Sequence, residues 1–459
     1  MENLREYYKS LNNKKVAFIG LGMSHSQLIE KFLGYGSKVT ICDKKELEEL
    51  NIPLNMLNLG NLSFSLGTDY LKGLKNYDIV FRSPGVEFTK PEIQDAVNHG
   101  IYVTSEIEEF FKLCPCKIIG ITGSDGKTTT SSLIYKILKD YGHRVWLGGN
   151  IGRPMLPIID EIKKDDLVVV ELSSFQLISM KSSPDISIIT NITPNHLDHH
   201  KDMNEYIDAK RNIIKFQKSN SIAVLNIKNE ITASMRSEVV GELREFGLPT
   251  SRNGAYTLDK NLFSTYLDKN TKVFNMTDIK LKGNHNFENI EAAYLATRSL
   301  VSTESFISSV SSFSPVEHRI EFVAKIDEVE WYNDSIATTP SRTIAGLKSF
   351  DRKVILIAGG SDKGLSFNTL AKCADKYVKT IILMGTTSEK ILDALYEVKS
   401  GINVLYAGNM SEAVSKARES SVVGDIVLLS PASPSFDMYT NFEERGRHFK
   451  KLVLEMSDE

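Results

Sequence analysis

Short runs of apolar and β-branched residues recur along the chain and are separated by amphipathic, helix-like stretches. They read KKVAFIG, KVTICD, DIVFRSPG, KIIGITG, RVWLGGN, DLVVVEL and ISIITNIT, then KVILIAGG, TIILMG, NVLYAG and DIVLLS. Runs of four to six such residues alternating with helical spacing predict parallel sheets covered by helices, an α/β protein. Several runs end in glycine or a polar residue, and open α/β sheets bind their ligands beyond the carboxyl ends of the strands. A new strand and phosphate-type loop begin after Glu106, and a serine-rich stretch, TESFISSVSSFSPVEHR, interrupts the pattern around Phe313. These breaks predict three units, 1–106, 107–313 and 314–459. The segment from Ile231 to Asn275 has weak periodicity and reads as strand-rich decoration or a loop excursion.

The 459 residues agree with three domains at about 150 residues each. With 41% hydrophobic and 25% charged residues the chain is an ordinary globular one. The 55 basic and 58 acidic side chains leave a net charge of -3, with no long run of one sign, so neither a nucleic-acid partner nor an anionic membrane is indicated. No apolar stretch approaches the roughly 20 residues needed to cross a bilayer, and the start lacks the apolar core of a signal peptide. The four cysteines, Cys42, Cys114, Cys116 and Cys373, form no C-x-x-C pair. Reduced thiols in the cytoplasm, no membrane insertion and a monomer are the expectations.

The strongest local signal is KIIGITGSDGKTTTSSLIYKILKD, a strand running through Gly123-Ser124-Asp125-Gly126-Lys127-Thr128 into a helix. Glycines let backbone N–H groups turn toward phosphate oxygens, and the helix N-terminus adds positive potential. Lys127 suits the β- and γ-phosphates, and Thr128 offers a hydroxyl to magnesium. The spacing departs from G-x-x-x-x-G-K-[ST], since the first glycine would fall on Ile121. A second glycine turn, FIGLGMSHSQ, has Gly20 and Gly22 after the first strand and Asp43 at the end of the next. It lacks the third glycine of a dinucleotide fingerprint, where His25 stands. A plain strand-to-helix turn, a nucleotide diphosphate site and an NAD site all fit it.

Glu171 abruptly follows four apolar residues, which puts its carboxylate at a strand's carboxyl end, able to join Thr128 on one magnesium ion. His196 lies just beyond the following strand. A hydrolytic two-metal cluster of His196, Asp198, His199 and His200 is disfavoured because adjacent residues rarely all face one ion, leaving His196 as the expected ligand. Lys210, in NEYIDAKRNIIKF, reads locally as a solvated helix lysine.

In order along the chain, TGSDGKTTT, GGNIGRP, ELSSFQL, NITPNHLDHH, YIDAK, GNHN, EHR, NDSIAT, GGSDKG and SPASPSFD…NFEERG resemble the Mur ligase family over nearly the whole length. The closing S-P-x-x-x-S-F-D…N-F-E-x-R-G motif resembles its D-glutamate-adding branch. The resemblance implies a Rossmann-like first domain for a UDP-sugar, a P-loop central ATPase domain, and a Rossmann-like C-terminal domain for the incoming amino acid. It implies ATP-dependent ligation of D-glutamate to UDP-N-acetylmuramoyl-L-alanine through an acyl phosphate, in cell-wall precursor synthesis. By the same resemblance Met23, Ser24, Lys44, Ser83, Asn150, Ser173 and His196 contact the UDP-linked substrate. Gly123, Ser124, Asp125, Gly126, Lys127, Thr128 and Thr129 hold the phosphates, Asn286 and Asn289 lie near the purine, and Arg319 and Asp334 complete the ATP site. Two magnesium ions are implied, one on Thr128 and Glu171 and one on His196 with a carbamylated Lys210; Lys127, Glu171, His196 and Lys210 are the implied catalytic set. D-Glutamate falls to Thr338, Lys363, Ser435 and Phe442, with Lys363 suited to pair with a carboxylate. Two departures are Ile336 where the family pattern often has lysine, and Asp125 where asparagine is common. A folylpolyglutamate-type ligase and a non-catalytic nucleotide-binding regulator are the rival classes.

Overall fold

The computed structural model describes residues 2–456 apart from 51, 53–59, 152, 195–199, 250–252, 267–268, 278, 282–284 and 315–316. The chain forms two compact units, Met1–Ile279 with His285–Phe313, and Lys280–Asn284 with Ser314–Glu459. They contain three sheets between them.

The first unit holds two of the sheets. One has five parallel strands in the order Leu62–Leu66, Lys38–Asp43, Lys15–Ile19, Ile79–Arg82 and Tyr102–Thr104. Its three inner strands are buried beyond their first residue, and Phe18 stacks on Phe81 with Phe32 edge-on to both. The other has nine strands, in the order Lys269–Asn275, Asn261–Tyr266, Asn253–Leu258, Glu242–Phe246, Ile222–Asn226, Ile186–Ile189, Lys117–Thr122, Leu167–Glu171 and Val145–Gly149. Leu167–Glu171 is buried at every position, as a strand covered on both faces must be. The helix Glu106–Leu113 is capped by Ser105, whose hydroxyl accepts from Glu108 N. The buried Glu106 carboxylate accepts from the backbone N–H groups of Met155 and Leu156, so this connecting helix is pinned at its start.

The second unit carries a six-stranded sheet in the order Glu321–Ile326, Val329–Asn333, Ile426–Leu429, Val354–Ala358, Val378–Leu383 and Asn403–Tyr406. Helices cover both faces, and Trp331 and Phe449 centre one of the two apolar layers.

The expectation of parallel sheets needs one correction. Three pairings are antiparallel: Glu321–Ile326 with Val329–Asn333, Asn253–Leu258 with Asn261–Tyr266, and the latter with Lys269–Asn275. The first two are hairpins whose loop residues, Asp327-Glu328 and Asp259-Lys260, all have left-handed φ between 48° and 62°. Two successive left-handed residues make the turn whose twist matches a hairpin. The weakly periodic segment from Ile231 to Asn275 is therefore strand-rich, and it extends the central sheet.

Candidate functional site

The strand Lys117–Thr122 delivers the glycine-rich loop, and the helix Lys127–Asp140 starts directly after Gly126. Gly123 and Gly126 adopt φ of 150° and 82°. A Cβ on Gly123 would lie 1.8 Å from Thr190 Oγ1, and one on Gly126 would lie 2.4 Å from Asn289 Oδ1. Both positions therefore need glycine for conformation and for space. The loop is braced from the neighbouring strand end: Ser124 N donates to Asn191 O, Asp125 N to Asn191 Oδ1, and Thr190 Oγ1 to Asp125 O. The Ser124 hydroxyl donates to Thr193 O and pairs with Tyr206 OH at 2.8 Å. Asp125 is exposed. Lys127 Nζ lies 2.7 Å from Gly123 O and 2.9 Å from Ser124 O, over the mouth of the loop.

Thr128 and Thr129 are buried in the first turn of the helix. The Thr128 hydroxyl donates to Glu171 Oε2 at 2.8 Å, and Asn150 Nδ2 donates to Glu171 Oε1 at the same distance. Glu171 ends its strand as the sequence predicts. Gly149 allows the backbone there to approach so closely that a Cβ would sit 2.3 Å from Glu171 O. Ser173 caps the short helix Ser174–Leu177 in a capping box with Gln176. Asn289 accepts from Thr130 Oγ1 and donates to Asn286 Oδ1, so both buried asparagines belong to the rear of the same loop.

Lys210 is the largest departure from its local reading. It lies on the helix Met203–Lys215, is only 2% exposed, and donates to Gly123 O at 2.8 Å and to Thr122 Oγ1 at 3.3 Å. Its Nζ also sits 4.8 Å from the centre of the Tyr206 ring. Burial holds its ammonium well below the usual lysine range; Lys127 adds to the effect, and Glu171 and Asp125 oppose it. His196 lies outside the described residues. His200 is buried, bonded to Glu205 and Ser174 and stacked on Phe175, so it is occupied structurally.

At the first sheet, Gly20 is left-handed and lies against Ser83. Asp43 does not face outward as a ribose ligand would: its carboxylate accepts from Leu21 N and Lys45 N, at 2.8 Å and 3.0 Å, and fixes the glycine turn. His25 is fully buried, with Nδ1 2.7 Å from Gly20 O, filling the space that a third glycine would leave. Lys44 is exposed and Ser83 half-buried at the carboxyl edge. Met23 and Ser24 begin the helix Met23–Gly34, and their side chains lie outside the described residues. Arg82 reaches from this sheet to the central one. It donates to Val86 O on its own side and to Phe175 O, at 2.8 Å, in the helix that follows Glu171.

In the second unit, Asp334 follows the strand Val329–Asn333 and is buried. Ser430 Oγ donates to its Oδ2 at 2.8 Å and Ile320 N to its Oδ1 at 3.3 Å. Burial pushes its carboxyl up to about 7 against the pull of Ser430 and Arg319. Arg319 stands between His318 and Ile320, whose φ values are 64° and 44°. A β-branched residue in that region stores strain of about 1–2 kcal/mol or more. Arg445 is 2% exposed and, among the described residues, donates to neutral oxygens alone: Ser335 Oγ and O, Ser433 O and Pro434 O. It thereby ties the Asp334–Thr338 turn to the loop carrying the buried Ser435. Phe442 opens the last helix, and its carbonyl accepts from Ser335 Oγ. Thr338 and Ile336 are half-buried in the same turn, and Lys363 is exposed in the loop after Gly359 and Gly360. The cluster Glu317, His318 and Glu321 has cation-ligand spacing, but Lys450 Nζ lies 3.1 Å from Glu317 and 2.5 Å from Glu321, and already pairs with both carboxylates.

Three family models match the chain: the Mur ligase MurD-like N-terminal domain over 14–105, the Mur ligase middle domain over 121–297, and the Mur ligase glutamate ligase domain over 318–433. The UDP-N-acetylmuramoylalanine–D-glutamate ligase of Clostridium tetani is 47% identical over 457 residues, 98% of this chain and 99% of that protein. Its namesake from Clostridium kluyveri is 45% identical over 458 residues, 99% of each. The chain belongs to the Mur ligase family. Among solved structures, the pseudomurein peptide ligase type C of Methanothermus fervidus shares the fold with a TM-score of 0.57 at 20% identity, covering 97% of this chain and 100% of that one. The MurF ligase of Thermotoga maritima in complex with ADP has a TM-score of 0.55 at 18% identity, covering 97% of each chain.

Membership in the Mur ligases sorts the side chains that sequence reasoning passed over. Tyr206 bridges Ser124 and Lys210, and its spacing four residues before Lys210 in YIDAK placed the two on one helix face. Asn191 opens the N-I-T-P motif and Thr190 immediately precedes it, and both hydrogen-bond to the phosphate loop. Arg82 carried no signal and Arg445 only its place in N-F-E-x-R-G, because an arginine that serves neutral oxygens looks like any surface arginine in sequence.

Proposed function

We propose that this Mur ligase joins D-glutamate to UDP-N-acetylmuramoyl-L-alanine with cleavage of ATP to ADP and phosphate. The observation that carries the reading is identity of 45–47% across essentially the whole chain with ligases of that name. It is supported by the convergence of Lys127, Thr128, Glu171 and Lys210 on one loop. We assign the acceptor to residues 1–106, ATP to 107–313 and the amino acid to 314–459, in a cytoplasmic monomer. Among the described residues no helix is long and apolar enough to cross a membrane.

In the reaction the acceptor carboxylate attacks the γ-phosphorus of ATP, the bond to ADP breaks, and an acyl phosphate forms. The D-glutamate amine then adds to the activated carbonyl, loses a proton, and phosphate leaves as the amide forms. Lys127, at the loop mouth, neutralises charge on the moving phosphoryl group, and the loop N–H groups hold the oxygens. Thr128 and Glu171 present two hard oxygen donors 2.8 Å apart, a set that fits magnesium. When bound, magnesium supplies further neutralisation of the phosphates. A second ion falls to His196 and a carbamate on Lys210. Carbamate formation joins an uncharged amine to carbon dioxide with release of one proton, and burial, by lowering the titration of Lys210, favours that uncharged amine. Asn286, Asn289, Arg319 and Asp334 are assigned to the nucleotide. Met23, Ser24, Lys44, Ser83, Asn150, Ser173 and His196 are assigned to the UDP-linked acceptor, and Thr338, Lys363, Ser435 and Phe442 to D-glutamate.

A phosphate-release assay tests the reading. Release is expected only with ATP, magnesium, UDP-N-acetylmuramoyl-L-alanine and D-glutamate together. Equal or better use of another amino acid would overturn the D-glutamate assignment. Turnover with a folate acceptor, or ATP binding without turnover, would overturn the ligase reading in favour of its rivals.

A further inference from the structure

Cys114 and Cys116 flank Pro115 at the junction between the helix Glu106–Leu113 and the strand Lys117–Thr122 that carries the phosphate loop. Cys114 is the C-cap of the helix, with φ -58° and ψ 124°, the extended conformation that a following proline imposes. In extended backbone the side chains at i and i+2 share a face. The two sulfurs accordingly lie 3.7 Å apart, and Cys114 Sγ also lies 3.6 Å from Cys116 O. Both thiols are partly exposed, whereas Cys42 is buried and Cys373 sits in the other unit. Both side chains also pack against the edge of the apolar core, and the ligase chemistry uses neither.

We propose that Cys114 and Cys116 form a reversible thiol–disulfide site that reacts with low-molecular-weight disulfides. Cys114 is the attacking thiol: its contact with the Cys116 sulfur draws its titration below the ordinary thiol range, while Cys116 is pushed up. The Cys114 thiolate attacks one sulfur of the small disulfide, forming a mixed disulfide and expelling one thiolate. Cys116 then loses its proton and attacks Cys114 Sγ, expelling the second. The protein loses two electrons and two protons, and the small disulfide becomes two thiols. Closure brings the sulfurs from 3.7 Å to the roughly 2.05 Å of a disulfide, by rotation of the two cysteine side chains. In a reducing compartment such a pair is transient and sensing rather than structural.

Full-length reduced protein is incubated with oxidised glutathione, quenched with iodoacetamide and digested with trypsin, which releases Leu113–Lys117 with both cysteines. The expected product is that peptide lacking two hydrogens, restored to two alkylatable thiols by dithiothreitol, with Cys42 and Cys373 still alkylated. The C116S variant is expected to stop at a stable glutathione adduct on Cys114, with an unchanged melting temperature. Full alkylation of both thiols in the wild-type protein, or a persistent glutathione adduct there, overturns the proposal. An equal rate for Cys373 in the same folded sample also overturns it, because the pair then has no special reactivity.

Discussion

Thr128 Oγ1 and Glu171 Oε2 meet at 2.8 Å although 43 residues separate them in sequence. One comes from the first turn of a helix and the other from the last position of the adjacent strand, so the contact is made by the sheet rather than by a loop. Replacing Glu171 with glutamine keeps the volume and an acceptor for one of its two donors, and removes the charge. Loss of one preorganised electrostatic group costs about 2.7–4 kcal/mol of transition-state stabilisation. Glu171→Gln is therefore expected to lower kcat by about 100-fold or more while the melting temperature changes little. Phosphate release and thermal unfolding on the same sample check both parts, and activity within tenfold of wild type would reject the role.

Lys210 opposes stability where it serves chemistry. Its folded-state titration is held down by burial and by Lys127, below the value of about 10.4 for an unfolded lysine. The unfolded chain then binds the proton more readily, so stability rises with pH between the folded value and about 10.4. In bicarbonate-free buffer at pH 7, Lys210→Met is expected to unfold at a higher temperature than wild type, and to lose ligase activity. Adding bicarbonate to carbon-dioxide-stripped protein should raise wild-type activity and bring up a carbamate resonance with ¹³C-labelled bicarbonate. No such resonance in wild type would remove the second metal ligand.

Glu291 offers a stability test outside the reacting groups. It is buried on the helix His285–Thr297, accepts from Thr257 Oγ1 at 2.5 Å, and burial pushes its carboxyl up to about 8. The native state therefore holds this proton more tightly than the unfolded chain, and stability falls as pH rises from about 4.3 to about 8. Glu291→Gln should stabilise the protein by on the order of 2 kcal/mol at pH 8 and by almost nothing at pH 4. Urea midpoints at the two pH values measure the difference, and an equal effect at both would reject the assignment.

Arg82 is expected to couple stability to acceptor binding. Truncation to methionine leaves the carbonyls of Val86 and Phe175 without this donor and detaches the Ser83 turn from the helix capped by Ser173. A loss of about 3 kcal/mol in stability follows from stranding buried acceptors. The KM for the UDP-linked acceptor should rise several-fold more than that for ATP. A uniform change in both would make Arg82 a purely structural residue.

Parallel strands were legible where the chain wrote them as continuous apolar runs, such as VILIA and LVVVE. The hairpins were not, because Asp259-Lys260 and Asp327-Glu328 take a left-handed turn without the glycine that usually announces it. The edge strands LSFSL and YVT are short and half-exposed, so they carry little hydrophobic signal. The phosphate loop and Glu171 were readable because glycine spacing and a sudden carboxylate are local features. The burial of Lys210 was not, since it depends on a helix packing against a loop more than 80 positions earlier in the chain. The same limit hid Asp43, whose strand-end position suggested a ligand while its oxygens were already engaged by the turn it supports.

The 1.8 Å separation between a would-be Cβ on Gly123 and Thr190 Oγ1 also constrains how such a sequence drifts. A larger residue at 123 would need 190 to shrink in addition to carrying its own backbone strain, and shrinking 190 below serine removes the hydroxyl that holds Asp125 O. Every single-step route away from this pair thus crosses a variant with a slack loop. Positions 123 and 190, which belong to different motifs in the linear chain, are expected to be inherited as one character.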